Sequence, residues 1–428
     1  MMLSMTFLQV IRRNFEVNLF FLCCIAILGM TPLSLFCETI DESKQQEQKP
    51  TVCLNMIVKN ESQVIKRCLK SVLPLIDTWV IVDTGSTDGT QQIIQEFMLE
   101  HQIPGELHER PWVNFGHNRE EALALAKSKA DYLLFIDADD VLRFSEQFKL
   151  PTLNLDVYLV KGIHKGLQFH LWTFVKASLD WHWHDPIHEY IQVKDAADGS
   201  LTGGILNKIQ YVYIHDGARA KDSSTLTKDL QVLTKALEKD PENKRLTYYL
   251  AQTYANMHNL HQALVYYQKR IDLGGNAEEV FSAMMSKAKI QQEWNVKPEV
   301  LAATYQKALE FRPSRPEPYF YLSRLAHLKG DFQKGYDIAK SGVDLPESLD
   351  TLDLEYSTYE GIIFECAYCA LELGKLKECR ELCRILKNKP NLSSENQENL
   401  KNFNKVFEHK LRSKKALDVV NKLYGANS

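Results

Sequence analysis

The chain lacks a surplus of either charge. Its 428 residues carry a formal net charge of -4, and no block of like charge gathers basic residues on one stretch. That balance excludes the electrostatic footprint of a nucleic-acid surface. The chain also lacks a glycine-rich phosphate loop after its first apolar segment, where Lys59-Asn60-Glu61-Ser62 stands instead. It lacks a clean small-x-small cleavage site as well, although an apolar run stands near its start. What is there is ordinary globular composition, 45% apolar and 25% charged, over a length that suits two or three domains.

The first fifty residues stand apart. Arg12 and Arg13 precede an uncharged apolar run from Leu19 to Cys37, and Glu38, Asp41 and Glu42 follow it. Residues 1–37 therefore read as a signal peptide or a single spanning helix, with Pro32 weakening the last turns. The basic flank places the remainder outside the cytoplasm, so the chain is expected to be exported or membrane-associated through residues 19–37. Residues 38–50 (ETIDESKQQEQKP) read as a polar linker.

The stretch that organises the rest is Asp131-Tyr132-Leu133-Leu134-Phe135-Ile136-Asp137-Ala138-Asp139-Asp140. Its consecutive apolar residues predict a strand buried on both faces, and its three closing carboxylates must emerge at the carboxyl end. In an open α/β sheet that end is where ligands bind. Asp137 and Asp139, spaced by two, project from one side of an extended backbone. Such a pair of hard oxygen donors suits Mg²⁺ or Mn²⁺ carrying a diphosphate. The plain alternative is a strand followed by an acidic turn.

Upstream, Val52–Val58 and 79–82 predict two further strands, and residues 63–73 a helix with a stripe of Val64, Ile65, Leu69 and Val72. The second strand runs into Asp83-Thr84-Gly85-Ser86-Thr87-Asp88-Gly89-Thr90, a tight turn and helix start with Thr87 or Asp88 as its cap. Asp83 at that strand tip can accept from a base N–H or a ribose hydroxyl. Pro111-Trp112-Val113-Asn114-Phe115-Gly116-His117-Asn118-Arg119 then leads into a helix over 120–128, where Arg119 can neutralise a phosphate or pair with a nearby glutamate.

The ordered motifs Asn-Met-Ile-Val-Lys-Asn-Glu, Val-Asp-Thr-Gly-Ser-Thr-Asp-Gly-Thr, Trp-x-Asn-Phe-Gly-x-Asn-Arg and Phe-Ile-Asp-Ala-Asp-Asp resemble the family 2 glycosyltransferases with the GT-A nucleotide-sugar fold. The closer resemblance, over about residues 51–345, is to the bacterial branch in which a tetratricopeptide array follows the catalytic domain. It implies a nucleotide-sugar donor, UDP-linked, and inversion at the anomeric carbon. By position it implies that Asp83 contacts base or ribose, that Lys59, Asn60 and Glu61 lie near the base, and that Arg119 lies near the phosphates. It implies further that Asp137 and Asp139 hold Mn²⁺ or Mg²⁺, with His215, at the end of the strand predicted in Tyr211-Val212-Tyr213-Ile214-His215-Asp216-Gly217, completing the metal site. A sugar-1-phosphate nucleotidyltransferase would need the glycine-rich loop this chain lacks.

Residues 157–163 and 169–176 predict two antiparallel strands. Family members commonly carry arginine in the second, where this chain reads Phe-His-Leu-Trp-Thr-Phe over 169–174. Next, Trp181-His182-Trp183-His184-Asp185-Pro186-Ile187-His188-Glu189 matches the segment in which the resemblance places an acceptor-facing base. Glu189 is the candidate for it and Asp185 the second, since an inverting transfer needs a carboxylate to deprotonate the acceptor. Trp181 and Trp183 read as a stacking platform for the acceptor or as core, and His188 as an acceptor-side group or as a support that orients Glu189.

From Ser224 the pattern turns helical and repeats. Leu250, Ala251, Tyr254 and Ala263 align with Leu322, Ser323, Ala326 and Gly335, then with Cys366, Ala367, Ala370 and Cys379. Gly330 and Gly374 fall in equivalent turns, and a unit over 278–313 is less regular. The expected fold class is thus α/β, a GT-A domain over 51–217, followed by an all-α tetratricopeptide-like solenoid over 218–392 and a charged helical cap over 393–428. The array suits a protein or peptide partner. The chain has nine cysteines. Cys366, Cys369, Cys379 and Cys383 invite a zinc reading, but three of them fall on packing positions of the repeat. The rival to an enzyme is a catalytically silent GT-A domain carrying a tetratricopeptide scaffold.

Overall fold

The computed structural model describes residues 49–145, 148–164, 167–196, 200–346, 354–389 and 394–424. The apolar run from Leu19 to Cys37 lies outside them. Among the described residues no helix is long and apolar enough to cross a membrane. The chain divides into two compact units. One holds the described residues up to Ala283 together with Leu354, and the other holds the remaining described residues.

The first unit is built on a mixed sheet. Its strands are β1 (Val52–Val58), β2 (Thr78–Asp83), β3 (Gly105–Glu109), β4 (Tyr132–Phe135), β5 (Val141–Phe144), β6 (Val157–His164), β7 (Leu167–Lys176) and β10 (Gly203–Val212). They lie in the order β3-β2-β1-β4-β7-β6-β10-β5. The first four are parallel, β7 is antiparallel to both β4 and β6, β10 is parallel to β6, and β5 is antiparallel to β10. A separate hairpin joins β8 (Trp181–His184) to β9 (Tyr190–Val193).

Alternation along the central strands explains the layers. Val52, Leu54, Met56, Tyr132 and Leu134 face one apolar cluster, with Leu69 and Val72 of helix α1 (Ile65–Val72) and Ile94 and Phe97 of α2 (Thr90–Glu100). Cys53, Leu133 and Phe135 face another, with Leu123 and Ala126 of α3 (Phe115–Ala126). Both faces are covered, so β1 and β4 are apolar at nearly every position. Asn55 is the exception within β1, and its side chain donates to the carbonyls of Val80 and Ala122, tying β1 to β2 and α3.

Two helix starts differ from the sequence expectation. α2 begins at Thr90 behind Gly89, which has φ +89°, and Asp88 instead accepts from the Thr90 backbone and hydroxyl. α3 begins at Phe115, five residues earlier than expected, because Asn114 caps it by accepting from the His117 N–H at 2.9 Å. Arg119 therefore stands inside the helix.

The helices that follow in the first unit are α4 (Ala218–Lys221), α5 (Thr225–Lys239), α6 (Lys244–Asn256) and α7 (Leu260–Leu273). The division between units falls within α8 (Ala277–Glu293), a helix of 17 residues where α6 has 13. The second unit contains α9 (Pro298–Phe311), α10 (Pro316–Leu328), α11 (Phe332–Val343), α12 (Tyr356–Glu372), α13 (Leu376–Asn388) and α14 (Ser394–Tyr424). The helix-pair repeat is visible in the turns. Gly330 and Gly374 take φ +79° and +73°, and the Asp331 and Lys375 N–H groups reach back to the Ala326 and Ala370 carbonyls. In the α6–α7 turn His258 occupies the same position at φ +56°, and Asn259 N–H reaches back to the Tyr254 carbonyl.

Small residues sit where the helices of the second unit meet. A Cβ added to Gly335 would lie 2.9 Å from Cys369 Sγ. Cys366, Cys369, Cys379 and Cys383 are free thiols buried in that unit's core, alongside Leu400 and Phe407 of α14. They pack as small apolar groups.

Candidate functional site

The loops leaving the carboxyl ends of β1, β2 and β4 meet above the sheet. The β1 and β2 loops are laced together. Asn60 N–H donates to Ser86 Oγ and its Oδ1 accepts from Thr87 N–H, both at 2.8 Å. Glu61 N–H donates to Thr90 Oγ1 at 2.8 Å and Ser62 N–H to Asp88 Oδ2 at 3.0 Å. Asn60 takes φ +57° to permit this. Lys59 is exposed on the rim. Asp83 is fully buried, and its Oδ1 accepts from Gly85 and Ser86 N–H at 2.8 Å each. Its Oδ2 is buried with no hydrogen-bond partner. A buried carboxylate oxygen left so is costly, and a donor arriving from a ligand would satisfy it.

β4 ends at Phe135, so Asp137 and Asp139 stand in a turn and not on extended backbone, and each faces a different neighbour. Asp137 Oδ1 accepts from Arg119 Nη2 at 2.6 Å, and Arg119 Nε donates to Glu189 Oε1 at 2.6 Å. Arg119, buried above the Trp183 ring, thereby joins the two acids. Asp139 Oδ2 accepts from Gly217 N–H at 3.1 Å, and both Glu61 oxygens accept from Ala218 N–H at 3.2 Å. A Cβ on Gly217 would lie 2.8 Å from Asp139 Oδ2 and from Glu61 Oε2, so a larger residue there would make both carboxylates shift.

Burial and mutual repulsion mark this as an acidic centre. Burial, then the charge of Asp139, pushes Glu61 up to about 7. Burial and Asp137 raise Asp139. Asp140 is raised well above the ordinary range, by burial and then by Asp137 and Asp139. Asp140 accepts from Ile214 N–H at 3.0 Å and so fixes the chain before His215, which takes φ +56°. Concentrated carboxylates of this kind suit a hard cation. Among the described residues no group of three or more His, Cys, Asp and Glu side chains is arranged to hold a metal.

The β8–β9 loop brings Asp185, His188 and Glu189. Asp185 and His188 take φ +64° and +53°. Burial pushes Asp185 up to about 6, against the opposing pull of Arg245. Burial, then Arg219 and Arg245, holds His188 well below the usual histidine range, so its imidazole is neutral. Its ring lies flat on Tyr249, with centroids 3.9 Å apart. α3 abuts the loop, for Phe115 N–H donates to the Pro186 carbonyl at 3.1 Å, and a Cβ on Gly116 would lie 2.2 Å from the Asp185 carbonyl oxygen. Gly116→Ala is therefore expected to cost about 1–3 kcal/mol by forcing two backbones apart. A urea unfolding midpoint equal to wild type would show that the loop yields instead.

Two stretches resolve as core. Trp181 and Trp183 are buried at 0% and 7% exposure, packed edge-on to Trp172 and Phe135, with Trp181 Nε1 donating to the Lys176 carbonyl. They are core residues with no ring face open to an acceptor. Phe169, Leu171, Trp172, Thr173 and Phe174 are likewise buried in β7, so the arginine missing there leaves apolar core.

Three residues of the site had no role assigned from the sequence. Arg67 on α1 donates to the Asp139 carbonyl at 2.6 Å and to both oxygens of Asp216 at 2.6 and 2.8 Å. Tyr211 Oη accepts from Asp137 N–H at 3.1 Å. Arg245 donates to the His188 carbonyl at 3.1 Å. An open cavity of about 560 Å³ lies beside Arg67, lined also by Lys66, Lys70, Ser71, Val141 and Leu142, and none of the expected site residues lines it.

Parts of the chain are similar to known proteins. A TPR repeat-containing protein of Synechococcus elongatus is 36% identical over 92 residues, 21% of either chain. The SPbeta prophage-derived glycosyltransferase SunS of Bacillus subtilis is 31% identical over 110 residues, 26% of this chain and 25% of that one. The chain thus spans about a quarter or less of the length of these relatives. The crystal structure of S. aureus TarS 1–349 in complex with UDP-GlcNAc is 15% identical, with a TM-score of 0.32 over 62% of this chain and 90% of that chain. Residues 53–148, which hold most of β1 through the acidic turn, match the family described as Glycosyl transferase family 2.

Proposed function

We propose that the chain is a glycosyltransferase that moves a sugar from a nucleotide-sugar donor, UDP-linked and with inversion as the family resemblance implies. The observation that carries the reading is Asp83, a buried carboxylate at the tip of β2 with one oxygen lacking a donor. A base N–H or ribose hydroxyl supplies that donor. Lys59, Asn60 and Glu61, in a loop hydrogen-bonded to the one that follows Asp83, would lie on the base side as the resemblance implies.

By the resemblance, Asp137 and Asp139, hard oxygen donors, together with His215 would hold Mn²⁺ or Mg²⁺, which would neutralise the departing diphosphate. Gly217 N–H steadies Asp139, and Arg119 steadies Asp137. Arg119, expected near the phosphates, donates to two carboxylates and so orders the ligand side and the acceptor side together. Glu189 takes the acceptor proton, with Asp185 as the second candidate. The helical repeats would receive a protein or peptide partner, and the apolar run at residues 19–37 would direct export or anchoring.

The test is nucleotide binding followed by turnover. UDP should raise the melting temperature of the purified chain by linkage. Asp83→Ala should weaken that binding about 10- to 100-fold, the worth of a hydrogen bond to a charged group. A dissociation constant within twofold of wild type would remove Asp83 from the donor site. Slow release of UDP from a UDP-sugar in the presence of Mn²⁺ is the expected activity, and its absence across a panel of nucleotide sugars would favour the silent scaffold.

A further inference from the structure

The loop that carries Asp185 and Glu189 does not take its shape by local preference. Two non-glycine residues within four positions, Asp185 and His188, stand in the left-handed region that L side chains resist. Such a conformation persists only where its surroundings over-determine it.

The surroundings come from the helical region. Arg245 Nε donates to the His188 carbonyl at 3.1 Å and lies 3.9 Å from the Asp185 carboxylate. One turn along α6, Tyr249 stacks on the His188 ring with an interplanar angle of 9°. The guanidinium of Arg245 is fixed in turn. It lies 5.0 Å from the ring centroids of both Tyr190 and Tyr249, and its Nη1 donates to Glu279 Oε1 at 3.2 Å. Glu279, in the first turn of α8, also takes Nε and Nη2 of the fully buried Arg270 at 3.1 and 2.9 Å. Every one of these residues lies in the first compact unit.

We propose that Arg245 and Tyr249 are positioning residues for sugar transfer: α6 holds the 185–189 loop in its left-handed form and so aims Glu189, making the first helical pair part of the active centre. This rests on the transferase reading above. Neither residue touches the donor-binding loops in the contacts described, so their removal should act on turnover more than on donor affinity.

The test uses the full chain and three variants. Tyr249→Leu removes the stacked ring without stranding a charge, Arg245→Ala removes the clamp, and Arg245→Lys keeps the charge with one donor group. In the first two, backbone amides of the 187–190 segment should exchange at least about tenfold faster while those of β1 keep their protection. The kcat for nucleotide-sugar turnover should fall about 10- to 100-fold with donor KM within threefold, as misplacement of a reacting group predicts. Arg245→Lys should recover part of that loss. Unchanged loop exchange, unchanged kcat, or loss of β1 protection in step with the loop would each overturn the proposal. If Arg245→Ala fails to fold, Tyr249→Leu decides. A wild-type chain that turns over no nucleotide sugar would overturn the transferase reading, and the exchange measurement would still report whether α6 fastens the loop.

Discussion

Arg119→Ala is expected to destabilise the first unit by about 3–5 kcal/mol, the usual consequence of removing one partner from a buried ion pair. Arg119 is buried and donates to Asp137 and Glu189 at 2.6 Å each. Of the two acids left behind, Asp137 is 43% exposed on its side chain and can hydrate, whereas Glu189 is at 8% and cannot. Most of the loss therefore comes from Glu189. Urea unfolding should show a lower midpoint for the variant than for wild type. Arg119→Lys, a single point charge that cannot donate in two directions from a planar fork, should fall between them. A midpoint equal to wild type would show that the two acids find other partners once Arg119 is gone.

How much of this was readable beforehand depends on what each residue leans on. β1, β2 and β4 were plain because strands buried on both faces are nearly all apolar. β3, Gly-Glu-Leu-His-Glu, was missed because it lies at the sheet's edge with mostly half-exposed positions, and it shows no apolar run. The start of α3 was missed because its capping signal, Asn114 three residues before His117, sits inside a stretch rich in turn formers. Trp181-His182-Trp183-His184 was informative in a way that a count of aromatics hides. Its strict alternation is a half-buried strand, tryptophans inward and histidines outward, and the burial pattern of β8 follows it. The acidic turn was legible since three carboxylates cannot end a core strand without an exit. Arg67, Tyr211 and Arg245 were not, because each acts across a large sequence separation and no local pattern distinguishes them from surface or core residues of the same type.

The acidic turn also supports the most demanding expectation. On the proposed reading, Asp139→Ala should reduce Mn²⁺-dependent release of UDP by at least about a thousandfold, since charge stabilisation of the leaving group is worth several kcal/mol. Asp139→Asn should fall nearly as far, although it can still accept from Gly217 N–H, because the hydrogen bond is kept and only the charge is lost. Stability should move the other way. Asp139 is one of four carboxylates crowded with Glu61, Asp137 and Asp140, so its neutral replacement relieves repulsion. In EDTA, Asp139→Asn should therefore melt no lower than wild type, while added Mn²⁺ should raise the melting temperature of wild type alone. This opposition between activity and stability is what separates a site from a structural turn. Were Asp139 only part of a structural turn, its loss would cost stability and leave turnover, and with it the Mn²⁺ response, where they were.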